Sequence, residues 1–248
     1  MSTTKELIHA NNRVRQIMHD NISISDRSLK ILGLETTERQ ATVALLDNCD
    51  VVVDMTLGDE ARSASLLAPG IQSALQQAQW QATDLDRIAV TVGPGSFTGL
   101  RVGVTTAKTL AYALGIDVIG VNTLAVLASQ VDHTGAVESV MDAQRNEVFR
   151  QRFEVRDGVA VACDDVTIED DLQWQQEIET NVVVTGPVLK KLEPLFTRDI
   201  QTAPTSQWIP LAATVARLAA NLEPVGTPFE LNPIYYRKSA AEEKRTTD

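Results

Sequence analysis

The sequence predicts an α/β protein of two lobes, each carrying a mixed β-sheet, and three observations point to that class. Over the first half of the chain the predicted elements run β-β-β-α-β-α-β-α. A glycine-rich loop, Gly93-Pro94-Gly95, joins a strand to a long helix, and a new series of strands opens after His133-Thr134-Gly135. With 248 residues, 44% of them hydrophobic, and only 13 Gly and 9 Pro, the chain is long and apolar enough for a packed core.

The first lobe is assigned to residues 29–132. "LKILGLE", "QATVALLD" and "DVVVDMT" read as three strands in succession, with Asp47-Asn48 and Asp50 supplying turn chemistry, so an antiparallel meander is expected. A helix follows over about 60–79, where Leu67, Ile71, Ala74, Leu75 and Ala78 mark one face. The strand "RIAVTV", the glycine-rich loop, and a helix from about Thr98 to Leu114 come next, with Gly115 placed as its C-terminal stop. "DVIGV" is a further strand, and Asn122 or Thr123 can cap the helix that begins "TLAVLAS". This is the ribonuclease H-like order found in each half of actin-like and sugar-kinase-like ATPases; it speaks to fold and carries no function by itself.

The second, smaller lobe is assigned to 133–238. "AVESVMDA" and "EVFRQRFEV" read as strands, Asp157-Gly158 as a hairpin turn, and "VAVACDDV" as the returning strand. An acidic helix "EDDLQWQQEIE", a buried strand "NVVVTG" and a helix opened by Pro187 follow. The helix at 209–223, "PLAATVARLAANLE" with its flanks, is expected to pack back on the first lobe. Residues 1–28, which hold His9 and His19, read as a flexible or loosely docked extension, with a partner-binding arm as the alternative. Residues 239–248 read as a frayed tail.

Charge narrows the function classes. The net charge of −11 and a pI near 4.8 oppose direct grip on a phosphate backbone, so any nucleic acid should be held by something else. Cys49 and Cys163 form no C-x-x-C pair, which suggests a reducing compartment. No apolar signal region stands at the N-terminus and no run approaches a membrane span, so a cytoplasmic location is expected.

The stretch "VTVGPGSFTGLRVGVTTAKTLAYALG" is the most informative. Ser96 or Thr98 can cap the helix that follows the loop. As a nucleotide motif it fails: a P-loop needs Lys after its last glycine, where Leu100 stands, and a dinucleotide fingerprint needs Gly where Thr98 stands. Along the helix, Gly99, Gly103, Ala107 and Ala111 recur every four residues and make a flank without bulk. Such a flank either packs inside its own domain or receives another helix. The second reading gives a partner interface of Leu67, Ile71, Gly99, Leu100, Gly103, Val104, Ala107 and Ala111.

"GPGSFTGLRVGVTTAKTLAYALGIDVIGVNTLAVLA" closely resembles the signature of the TsaB family, formerly YeaZ. "ILGLETT", "SASLLAPGIQSAL", "DAQRNEVF" and "NPIYYRK" resemble, in order, its first strand, first helix, D-A-R-x-x-E-V motif and closing P-x-Y-x-R. The resemblance covers about residues 29–238. It implies an actin-like ATPase fold and a non-catalytic subunit that supports TsaD, a homologous metal-bearing protein, in threonylcarbamoyl transfer to adenosine 37 of tRNA. It further implies TsaE, a small ATPase, as a second partner, and a homodimer through the same helices. Two positions depart from the family pattern: Arg62-Ser63 where relatives have His-Ser, and Gln144 in the Arg position of D-A-R.

No complete catalytic site is legible. The three histidines show no H-x-x-x-H spacing for a metal, and His133 reads as a solvated loop residue. Actin-like kinases place an acid and a Gly-Thr turn after the first strand so that backbone N–H groups meet phosphates. Here Glu35-Thr36-Thr37-Glu38 stands instead: Glu35 could replace the acid, no glycine is present, and Glu38 would repel a phosphate. Weak ATP or ADP binding at Thr36 and Thr37 is the most this allows. Asp142 and Glu147 form either a carboxylate pair or a hairpin salt bridge with Arg145 or Arg150. A small actin-fold ATPase or kinase, and a glycoprotease-like peptidase using Ser96, are the rival functions; the latter has no visible base.

Overall fold

Runs of branched and leucine side chains build the first sheet, in a computed structural model that describes residues 28–58, 63–156 and 158–237. The expectations for residues 1–27, for Arg62 and for the tail from 239 lie outside the described residues. β1 (Lys30–Glu35), β2 (Ala41–Asp47) and β3 (Asp50–Leu57) form the antiparallel meander, while β4 (Arg87–Gly93) and β5 (Asp117–Asn122) add in parallel to give the order β3-β2-β1-β4-β5. Nearly every residue of β1 and β2 is buried, because helices cover both faces of the sheet. On one face lie α1 (Ser63–Ala78) and α2 (Phe97–Leu114), packed against Leu32, Leu34, Val43 and Leu45.

The other face is covered by a helix from much later in the chain. α6 (Ala212–Ala219) presents Ala212, Ala213, Val215, Ala216 and Ala219 to Ile31, Ala44, Leu46 and Ile119. Its alanines allow the close approach: a Cβ on Gly33 would lie 2.3 Å from the Ala212 carbonyl oxygen. The helix expected over 209–223 is shorter, and Leu222 lies beyond its end and is exposed.

The second sheet has the order β10-β6-β7-β8, from β6 (Gly135–Gln144), β7 (Glu147–Arg156), β8 (Val159–Ala162) and β10 (Val183–Thr185). β9 (Thr167–Asp170) was not expected. It shares the outer edge of β7 with β8, pairing Glu147–Arg150 while β8 pairs Phe153–Arg156. α4 (Asp171–Glu177) therefore starts later than its acidic sequence suggests, with Asp170 as N-cap. Pro194 cuts the next helix to α5 (Leu189–Leu192) and a 3-10 turn. α3 (Thr123–Ser129) joins the two cores, placing Val126 in the first and Leu124 and Leu127 in the second. Inside the second lobe Trp174 donates to Glu138 at 2.5 Å, and Arg150 bridges Glu138, Asp164 and Glu169. Among the described residues no helix is long and apolar enough to cross a membrane.

Candidate functional site

A cleft of about 1000 Å³ opens between the lobes. Its first-lobe wall is the turn after β1 together with the loop before α2, its second-lobe wall is the β6–β7 turn with Pro187, Val188, Lys190 and Lys191, and the closing residues Ile234–Arg237 pass from one wall to the other. This is where actin-like folds take a phosphate, so the donors present decide what the cleft can hold.

The turn after β1 is folded around its own carboxylate. Glu35 is fully buried, and its Oε1 accepts from the Thr37 backbone N–H at 2.5 Å and from the Thr37 hydroxyl. Its Oε2 has no partner among the described residues and lies beside the equally unpartnered Thr91 hydroxyl. Burial pushes the Glu35 pKa up to about 7, against the lowering effect of the Thr37 and Thr91 hydroxyls. Glu38 is pushed up to about 7 by burial, with the Glu35 and Asp142 charges adding and Arg39 opposing. Asp142 belongs to the second lobe, so the two lobes present acids to each other across the cleft.

Thr36 and Thr37 therefore offer a phosphate little. The Thr36 hydroxyl donates to the Gly99 carbonyl at 2.8 Å, both Thr37 donors go to Glu35, and the Thr37 carbonyl accepts from Ser96 N–H at 3.0 Å. The start of α2 is occupied in the same way: Ser96 caps it, accepting from Gly99 N–H at 3.3 Å. Gly95 has φ of 154°, and a Cβ there would lie 2.4 Å from Thr37 Cβ, so only glycine lets loop and turn close. At the threonines where weak nucleotide binding was expected, the side-chain donors and the Thr37 N–H are spent within the chain.

The residues expected at a partner interface lie on the inner side of the first lobe. Leu67 and Ile71 are buried in the first lobe's own core. Gly99, Leu100, Gly103, Val104, Ala107 and Ala111 form the inward face of α2. The close approach that the small residues permit is to the chain's own turn: a Cβ on Gly99 would lie 1.8 Å from the Thr36 carbonyl oxygen, and one on Gly103 would lie 2.2 Å from the Thr36 hydroxyl. The outward face carries Arg101, Thr105, Thr109, Tyr112 and Ala113. The signal was in the sequence, since Gly99 and Gly103 adjoin Leu100 and Val104 on the helix wheel while a polar stripe lies opposite.

Asp142 and Glu147 find partners that neither expected pairing named. Glu147 pairs with Arg237, which sequence reasoning placed only in a closing motif. Asp142 accepts from the Gln144 backbone at 2.9 Å and from its amide Nε2 at 3.2 Å, so Gln144 retains a donor where the family has a cation. His133 is half-buried rather than solvated.

The mixed meander-plus-parallel sheets, two lobes and interlobe cleft define an actin-like ATPase fold, here with the phosphate-side turn closed by its own acid. Comparison with known proteins agrees. Residues 60–206 match the family model of TsaD, tRNA N6-adenosine threonylcarbamoyltransferase. The chain is 30% identical over 162 residues to the tRNA threonylcarbamoyladenosine biosynthesis protein TsaB of Bacillus subtilis, covering 64% of this chain and 71% of that one. It is 31% identical over 170 residues to the TsaB of Haemophilus influenzae, covering 67% and 69%. The solved structure of YeaZ from Pseudomonas aeruginosa has the same fold, with a TM-score of 0.72 at 23% identity over 84% of this chain and 99% of that one. The chain belongs to the TsaB (YeaZ) family, a branch that the TsaD model reaches.

Proposed function

We propose that this chain serves tRNA threonylcarbamoyladenosine biosynthesis as a non-catalytic subunit that docks on a TsaD-type transferase. The observation that carries the reading is the turn after β1: the place where a working nucleotide enzyme of this fold would receive a phosphate holds the Glu35 carboxyl instead. Family membership supplies the pathway, and in it the tRNA is held by the partner, in keeping with the net charge of −11. A tRNA substrate fits a cytoplasmic location.

Docking uses the outward face of α2, with the exposed face of α1 (Ala68, Pro69, Gln72, Gln76) beside it. Tyr112 is 66% exposed and meets Phe229, itself 64% exposed, in a tilted contact with centroids 5.1 Å apart, so an aromatic pair stands at the C-terminal end of that face. The same face would serve a second copy of this chain when the transferase is absent, and a TsaE-type ATPase joins the assembled pair.

Mixing the purified chain with a TsaD-type transferase tests this by size-exclusion chromatography coupled to light scattering. A stable complex, with negligible ATP hydrolysis by the chain alone, is the expected result. Brisk Mg²⁺-dependent hydrolysis by the chain alone, or failure to associate, would refute it.

A further inference from the structure

The closing segment Val225–Arg237 runs along the outside of the first lobe and ends on the second. Val225 N–H donates to the Val118 carbonyl at 3.2 Å, Leu231 is buried in the first lobe's core, and Ile234 N–H donates to the Val92 carbonyl at 2.7 Å. Lys108 Nζ reaches the Phe229 carbonyl at 3.1 Å. Tyr235 stacks on Phe97 with centroids 4.6 Å apart, its hydroxyl accepts from Arg101 Nε at 3.2 Å, and the Arg101 guanidinium lies 4.0 Å over the Phe97 ring.

The next two residues grip the second lobe. The Tyr236 ring lies 6.1 Å from Phe149, and its hydroxyl accepts from Asn122 Nδ2 at 3.3 Å where β5 ends. Arg237 donates from Nη1 to the Ala143 carbonyl at 2.7 Å and pairs through Nη2 with Glu147. The crossing between lobes is thus made between adjacent residues, beside the cleft, in addition to the covalent crossings through α3 and at the entry to α6.

The turn that Arg237 holds has an unusual backbone. Gln144, Arg145 and Asn146 have φ of 64°, 59° and 61°, three successive side-chain-bearing residues in the left-handed region. Arg237 binds on both sides of them, at Ala143 and Glu147, and the Asn146 carbonyl accepts from Asp171 N–H at 2.8 Å. The D-A-x-x-x-E-V and P-x-Y-x-R motifs, 90 residues apart in the chain, meet at the Arg237–Glu147 contact.

We propose that the closing segment is a latch between the lobes, with Arg237 the positioning residue that holds the Asp142–Glu147 turn in the cleft wall, and that through Phe229 and Tyr235 it ties the width of the cleft to the outward face of α2. The latch holds whichever partner the chain takes. Anything that displaces Phe229 from Tyr112 and Lys108, or Tyr235 from Arg101, pulls on a strand of chain whose far end is fixed to the second lobe. A single bidentate guanidinium suits this role because its planar fork fixes direction as well as distance.

The chain carries its own probes, since the exposed Cys49 lies in the first lobe and the exposed Cys163 in the second. Spin labels on these two cysteines report the interlobe distance by double electron–electron resonance, and hydrogen exchange reports the turn. The full chain should give one narrow distance distribution. Arg237→Ala should broaden it and speed exchange of the 142–147 amides roughly tenfold, with the amides of β1 and β4 unchanged. Arg237→Lys should give an intermediate width, and Phe229→Ala a smaller broadening of the same kind. An unaltered distribution and unaltered exchange in Arg237→Ala would overturn the latch. So would loss of folding in both Arg237 variants, which would make Arg237 a general stabiliser. No change with Phe229→Ala would remove the link to the helix face.

Discussion

Two turns face each other across the cleft, each near the end of its lobe's first strand, and they are stabilised in opposite ways. The turn Glu35–Glu38 is built into its lobe: its acid is buried, its hydroxyls are spent on its own neighbours, and glycines on α2 let the helix close over it. The turn Asp142–Glu147 projects from its lobe, adopts three left-handed residues, and is held by a guanidinium from the chain's last described residue. In this chain the first turn is part of the core and the second is held by Arg237.

The largest effect that would break this contrast lies in the first turn. Gly99→Leu should destabilise the isolated chain by more than about 3 kcal/mol, because its Cβ meets backbone rather than a yielding side chain; thermal unfolding of the monomer reads this. A variant that keeps its melting temperature and loses only partner binding would return the small-residue flank to the surface.

The second effect is a pH dependence. Glu35 and Glu38 ionise near 4.5 when unfolded and near 7 when folded. Between those values the folded chain holds protons that the unfolded chain has released, so stability falls as pH rises from about 4.5 to 7 and then levels. The loss from Glu35 is on the order of 3 kcal/mol. Glu35→Gln should flatten this dependence in urea titrations at pH 5 and pH 8, and raise stability at pH 8. Asp142→Asn should weaken the Glu38 part of this dependence, because the Asp142 charge adds to the rise in the Glu38 pKa.

The smallest effect sharpens the comparison from the other side. Asn146→Gly should stabilise the chain by about 0.5 kcal/mol, since glycine takes a positive φ without steric cost. Thr37→Gly should destabilise it by about 1 kcal/mol or more, through loss of the hydroxyl that satisfies Glu35. Chevron or equilibrium urea titrations resolve both signs.

The fold was largely legible because its strands are contiguous apolar runs and its helices carry caps that work as read: Ser96 and Asn122 cap α2 and α3, and Gly115 closes α2 in the left-handed conformation. β9 was hidden because Thr167–Asp170 is short and polar, and because Asp170 ends the strand and caps the helix at once. In the site, the acid after β1 and the missing glycine were readable, but the burial that makes Glu35 a structural group depends on α2 closing over the turn. Spacing of four between small residues announces a close contact without saying with what; the polar stripe Arg101–Thr105–Thr109 opposite it was the clue to direction. Arg237 and Glu147 could not be paired from one sequence, since 90 residues separate them and neither position is apolar.

Thr109→Arg tests the central claim most directly, because Thr109 lies in the middle of the outward face of α2 and is exposed. Isothermal titration of a TsaD-type transferase with this variant, beside the unaltered chain, should show association weakened by about 2 kcal/mol or more, with the melting temperature of the free variant unchanged. Unaltered affinity for the transferase would contradict the account, since the partner would then sit elsewhere.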